Sequence, residues 1–195
     1  MQKTIGVDLD EVLSETVDGV LKFHNYQING IPAARSDITA YYLWDIDKFW
    51  MTKEDWVKYF RLFLDEAQSS DAILPVHGAK EWLERLKQAW WKITIVTARK
   101  EQIKDFTIHR LNNHFQWLRD EILFANHFSV NEVSKSQLCK QQWITTMVED
   151  NLEYAKELAN TGIKVYLLDK PWNSEYYNGA HPNIIKVASR DEIHV

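Results

Sequence analysis

Apolar residues recur along this chain with two different spacings, and the alternation between them sets out an architecture. Thr4-Ile5-Gly6-Val7 is a short apolar strand that ends at Asp8. A helical spacing follows over 13–28, with Val17, Val20, Leu21 and His24 on one face. A polar loop through Gly30 and Pro32 comes next. Thr52 opens a second helix: its hydroxyl can cap the first turn, Glu54 and Asp55 suit the positive helix end, and Trp56, Tyr59, Phe60, Phe63 and Ala67 return at helical intervals. Ser69-Ser70-Asp71 breaks that helix, and Pro75 and Gly78 punctuate the turn beyond.

From residue 72 the two spacings alternate regularly. A helix over 79–90 turns Trp82, Leu83, Leu86 and Ala89 inward, and 92–97 is a β-branched strand. Helices over 101–115, 135–142 and 151–160 separate strands at 122–125, 145–148 and 163–168, with Gly162 stopping the last of these helices. A strand at 184–187 and a capping box from Ser189 to Glu192 close the chain. This alternation predicts an α/β fold: a Rossmann-like parallel sheet with helices on both faces. The first strand belongs to that sheet, but its successor is delayed by an aromatic-rich helical stretch. The expected division is a core of residues 1–13 and 76–195, and a small helical cap inserted over 14–75.

Composition narrows the class. Hydrophobic residues make up 45% and charged residues 26%, enough apolar material to offset chain entropy. No apolar run is long enough to cross a membrane, and no signal peptide is expected at the start. The single cysteine, Cys139, cannot form an internal disulfide, which points to a reducing, cytoplasmic setting and to a small buried apolar role. A net charge of −5 argues against binding a nucleic-acid polymer, and residues 14–75 hold six Lys or Arg against ten Asp or Glu. The seven histidines lack the spacing zinc requires.

In open parallel sheets, reactive groups gather at the carboxyl ends of the strands. The first strand delivers Asp8-Leu9-Asp10 and the second Thr97-Ala98-Arg99; a later one delivers Glu149-Asp150, and Lys135 opens the helix before it. Each alone has an ordinary reading: a solvated turn, a β-propensity residue, a surface cation, the acidic start of a helix. Together they offer carboxylates, a hydroxyl and a cation around one edge. A phosphate monoester needs that set. Mg2+ would take carboxylate ligands from Asp8 and Asp150 and a backbone carbonyl from Asp10. One carboxylate can attack phosphorus, and another, two residues on, can move the proton.

Asp8-Leu9-Asp10-Glu11-Val12-Leu13 resembles the first motif of the haloacid dehalogenase-like (HAD) phosphatases, in the form typical of the 5'(3')-deoxyribonucleotidase branch. Ile95 to Arg99, Lys135, and Val148 to Asn151 follow in the order of the remaining motifs, and Pro171-Trp172-Asn173 also resembles microbial members of the branch. The resemblance implies the HAD fold, with Asp8 as nucleophile and metal ligand and Asp10 as general acid/base and backbone ligand. It implies Thr97 and Lys135 as phosphoryl contacts and Asp150 as a magnesium ligand. Lys140 competes with Lys135 for its role, and Glu149 could orient Lys135 or a metal-bound water. Ala98 and Arg99 are carried along as substrate neighbours, although Arg99 could equally pair with a carboxylate.

Eleven aromatics fall within 14–75. Those spaced helically from 56 to 63 read as core. Tyr41, Tyr42, Trp44 and Trp50, in less regular sequence, are candidates for a stacking wall over the site. The expected partner is a small phosphorylated substrate, nucleotide-like, met by a monomer or homodimer. A sugar or other metabolite phosphatase is the alternative, and a phosphate- or metal-binding regulatory module without turnover is a third reading.

Overall fold

A computed structural model of the chain describes residues 3–27, 32–67, 72–115, 118 and 121–195. The predicted loop at Gly30 and the break at Ser69-Ser70-Asp71 lie outside these residues. Six strands form one sheet: β1 (Thr4–Val7), β2 (Lys92–Thr97), β3 (Ile122–Phe124), β4 (Thr146–Glu149), β5 (Lys164–Leu168) and β6 (Ile184–Val187). Their order is β3-β2-β1-β4-β5-β6, and every pairing is parallel. The chain therefore leaves β1 toward one side and later returns to build outward on the other, which makes the β1–β4 boundary the switch point.

The helices are α1 (Thr16–Gln27), α2 (Lys53–Ala67), α3 (Ala79–Gln88), α4 (Lys104–His114), α5 (Lys135–Gln141) and α6 (Leu152–Asn160). Alternation along the strands feeds both faces of the sheet. Ile5, Val7, Ile93, Ile95, Val148, Tyr166 and Leu168 pack with Trp82, Leu83 and Leu86 of α3 and Leu111 of α4. Val96, Met147, Val165 and Leu167 turn the other way, onto Cys139 of α5 and Leu152, Ala155 and Leu158 of α6. Gly6 faces this second side. A Cβ there would sit 2.6 Å from Met147 Sδ and 3.1 Å from Ile144 Cγ2, so the glycine lets the neighbouring strands' side chains close over β1.

A third apolar cluster gathers Val20, Leu21, Phe23, Ile38, Leu43, Phe49, Phe63, Leu64, Ala67 and Ile73, all between β1 and α3. It meets the rest of the protein at Phe106 of α4 and at Trp172. Phe63, 1% exposed, lies at its centre, and burying such a ring contributes ~3 kcal/mol.

Several boundaries differ from the sequence reading for local reasons. The helix expected from 13 starts at Thr16, because Leu13 and Ser14 still donate to the Leu9 carbonyl in a turn that carries Glu11 at φ 61°. Glu11 then caps α1 by accepting the Val17 N–H at 2.7 Å. The helix expected over 79–90 stops at Gln88, Trp90 turns left-handed at φ 63°, and Ala89 is exposed rather than inward. Ser189 caps only a 3₁₀ turn, Arg190–Glu192, and the Glu192 carboxylate takes the Ala188 N–H instead of completing a capping box.

Candidate active site

The carboxyl ends of β1, β2 and β4 lie side by side, so the residues just beyond them converge. Asp8 continues the β1 ladder, its N–H donating to Val148 O at 2.9 Å, and its side chain is 5% exposed. Ser134 caps α5 in a box with Gln137, which fixes Lys135 at the first helical position. From there the Lys135 ammonium reaches Asp8 Oδ1 and Glu149 Oε2, both at 2.7 Å, in a fully buried bridge. Lys140, on the same helix, is exposed, so Lys135 is the lysine at the strand ends. Glu149 is the last residue of β4, and its second oxygen accepts the N–H groups of Asp150 and Asn151.

Asp8, Glu149 and Asp150 each present a carboxylate oxygen within 4.8 Å of the others. Three buried carboxylates against one ammonium leave a formal surplus of two negative charges. Burial pushes the Asp8 carboxyl up to about 8, with Glu149 and Asp10 adding to the shift and Lys135 opposing it. Burial, then Glu149 and Asp8, also raises Asp150 well above the carboxylate range. Burial alone would lower Lys135, but Asp8 and Glu149 outweigh it and hold the ammonium charged. An all-oxygen group of this kind, doubly negative once all three carboxylates ionise, fits a hard divalent cation such as Mg2+.

The Asp10 carboxylate stands outside that group. Arg99 grips it with two bonds, Nη2 to Oδ1 at 2.7 Å and Nε to Oδ2 at 3.0 Å, and the Thr16 hydroxyl donates to it as well. Burial would raise Asp10, yet Arg99 and Thr16 together hold it below its ordinary value. The Arg99 guanidinium is thus committed to a carboxylate, with Thr107 Oγ1 at 3.3 Å and the Phe106 ring beside it. Thr97 is fully buried at the end of β2, its Oγ1 accepting the Arg99 N–H at 3.2 Å, and Ala98 is half-buried with its carbonyl taking the His127 N–H.

Aromatic rings lead outward from Lys135. The Tyr154 ring lies 4.6 Å from its ammonium and meets Tyr41 and His127 edge-on. Tyr41, 37% exposed, also meets Tyr42 edge-on, and desolvation, with the Asp150 carboxylate next, raises its phenol. Tyr42 bonds His127 Nε2 through its hydroxyl at 3.2 Å and stacks flat on Trp44, with ring centroids 4.3 Å apart. Glu132 holds the other face of His127, at Nδ1, 3.0 Å away. Trp50 stands apart from this wall, 93% exposed on a left-handed residue.

Three contributors carried no spacing signal. Tyr154 sits on the solvent-facing pattern of an ordinary amphipathic helix. Glu11, quoted above only within its motif, is buried and binds Arg35 and Lys170. Trp172, noted only as part of a resemblance, donates its indole N–H to the Asp150 side chain at 3.0 Å.

The family described as 5' nucleotidase, deoxy (pyrimidine), cytosolic type C protein matches residues 2–181. The chain belongs to that family. It is accordingly a phosphatase, and its fold is the haloacid dehalogenase-like one that the ordered motifs led us to expect. No curated protein matches the sequence. Solved structures agree on the fold. A haloacid dehalogenase-like protein of unknown function from Agrobacterium tumefaciens superposes with a TM-score of 0.65 at 14% identity, over 86% of this chain and 83% of that one. A predicted phosphatase from Clostridium acetobutylicum gives 0.63 at 16% identity, over 96% and 94%. A HAD family hydrolase from Deinococcus radiodurans, with bound phosphate and sodium, gives 0.60 at 15%, over 93% and 83%.

Proposed function

We propose that this phosphatase hydrolyses a small, nucleotide-like monophosphate with Mg2+ as cofactor and Asp8 as the nucleophile. The observation that carries the reading is the Lys135 ammonium shared at 2.7 Å by Asp8 and Glu149, with Asp150 completing the carboxylate group. Asp8, Asp150 and the Asp10 backbone carbonyl would hold the cation, which supplies positive charge to the transferring phosphoryl group and lets the carboxylates ionise together. An Asp8 oxygen forms a bond to phosphorus as the bond to the leaving oxygen breaks, giving an aspartyl phosphate. Asp10 gives the leaving oxygen a proton. It then takes one from the water that displaces Asp8 from phosphorus, releasing inorganic phosphate. In the resting structure Asp10 is an ionised carboxylate clamped by Arg99, the form that accepts a proton; to donate first, it has to leave that clamp and take up a proton from solvent. Thr97 Oγ1 accepts from Arg99 and so keeps its own proton for a phosphoryl oxygen, which Lys135 also faces.

Residues 14–75 serve in this reading as the cap over a core of 1–13 and 76–195, supported by their separate apolar cluster. Tyr42 and Trp44 supply a flat surface for a base, with Ala98 and Arg99 beside the phosphate. The enzyme works in the cytoplasm as a monomer or homodimer; among the described residues no helix is long and apolar enough to cross a membrane.

Phosphate release from deoxy- and ribonucleoside monophosphates and hexose phosphates, with magnesium or with chelator, tests the reading. Magnesium-dependent turnover strongest on nucleotides is expected. Preference for hexose phosphates would transfer the activity to the metabolite-phosphatase alternative. Full activity in chelator would refute the metal role.

A further inference from the structure

The 3₁₀ turn Pro171–Asn173 after β5 approaches the site from behind Asp150. Asn173, fully buried, donates its amide to the carbonyls of Asp150 and Leu168, both at 2.8 Å, and its oxygen accepts the Lys170 N–H at 3.1 Å. The first of these bonds ties the turn to the backbone at Asp150, and the other two hold Asn173 to the end of β5 and to Lys170. Trp172 then reaches the side chain: Nε1–H lies 3.0 Å from Asp150 Oδ2 and 3.2 Å from the Asp150 carbonyl. Among the described residues, Trp172 is the side-chain donor that meets the Asp150 carboxylate.

We propose that Trp172 is a positioning residue that orients the Asp150 carboxylate toward the divalent cation; the inference rests on the metal site of the preceding reading. A donor on one carboxylate oxygen restricts rotation about Cβ–Cγ and leaves the other oxygen for the ion. An indole suits the task because its nitrogen only donates and cannot compete for the metal. The ring is itself held. It packs against the apolar cluster that lies between β1 and α3, with the Arg35 guanidinium 6.0 Å and the Lys170 ammonium 5.9 Å from its centroid. Both of those cations also bind Glu11. One side chain therefore touches the aromatic-rich helical layer and a metal-binding carboxylate at once.

The experiment titrates magnesium, by calorimetry, into the metal-free full-length protein and into Trp172→Phe, which keeps an apolar ring and loses the N–H. Binding should weaken ~10-fold, the range seen when a partner of a metal-ligating carboxylate is removed. Phosphate release should fall at limiting magnesium and recover as magnesium is raised, while the KM for the monoester holds, a split that loss of packing does not produce. A benzothienylalanine at position 172 keeps the indole shape with sulfur in place of N–H; it decides the matter should the Phe variant not fold. Magnesium affinity within twofold of wild type for these replacements would overturn the positioning role. Wild-type protein that takes up no magnesium would instead remove the metal site itself, a separate result.

Discussion

Replacing Asp8 by Asn changes one atom pair and probes the whole strand-end cluster. Burial raises the Asp8 carboxyl from its ordinary 3.8 to about 8. Metal-free folded protein therefore keeps a proton on Asp8 at pH 7 that the unfolded chain has released. Between those two values the folded state binds more protons than the unfolded state, so stability falls as pH rises through that window. The contribution is full below the unfolded value and is lost by the time pH passes the folded one. At pH 7, three pH units above the unfolded value, the loss is about 4 kcal/mol at 1.36 kcal/mol per unit. Asn has nearly the same shape, keeps a carbonyl to accept from Lys135, and has no proton to release. In chelator at pH 7 the Asp8→Asn protein should thus melt higher than wild type, by roughly 10 °C for a chain of this size. The gap should close as pH is lowered toward 4.

Magnesium narrows the gap. Wild type gains about 2.7 kcal/mol from an ion at a hundred times its dissociation constant, and the variant, one carboxylate short, gains less. Melting curves at pH 5, 6, 7 and 8, with chelator or with magnesium, read both effects, and phosphate release reads the chemistry, expected at background. Coincident melting of the two proteins in chelator at pH 7 would refute the buried-acid argument. Retained turnover would refute Asp8 as nucleophile.

Arg99→Leu should strip Asp10 of the partner that keeps it ionised, so the acidic limb of the pH–rate profile moves to higher pH; an unmoved limb would separate Asp10 from Arg99 in the reaction. Gly19→Ala places a Cβ 2.8 Å from the Ala72 carbonyl and 3.1 Å from Phe63 Cζ, which pushes α1 off its seat. Overpacking costs ~1–3 kcal/mol and the helical alanine returns ~1 kcal/mol, so thermal melting should fall by a few degrees; a rise would mean that the segment yields freely.

The sheet was legible because buried strands write themselves as apolar runs, and three of them, β1, β2 and β4, end in a chemical group. Lys92 to Thr97 and Ile184 to Val187 coincide with β2 and β6 residue for residue. Lys135 could be preferred over Lys140 because a helix start faces the strand ends and a helix middle does not. Helix ends were read less well. Glu11, Trp90 and Trp143 adopt left-handed conformations that nothing in their side chains advertises. The contacts made across the fold were invisible for a different reason: Trp172 meets Asp150, and Tyr42 meets His127, through tertiary geometry that no spacing rule encodes. Trp50 shows the converse. It shares the irregular, aromatic sequence of Tyr42 and Trp44, yet it projects into solvent.

β1 is hydrogen-bonded on both sides, to β2 and to β4. Asp8 extends that strand by one residue, so its amide can exchange with solvent only when the central ladder comes apart. Such opening belongs to global unfolding rather than to local fluctuation. Arg35 and Tyr42, by contrast, reach the site through side-chain bonds alone, and a swing of their segment breaks no sheet. Movement of that segment would leave the Asp8 backbone where the central ladder holds it.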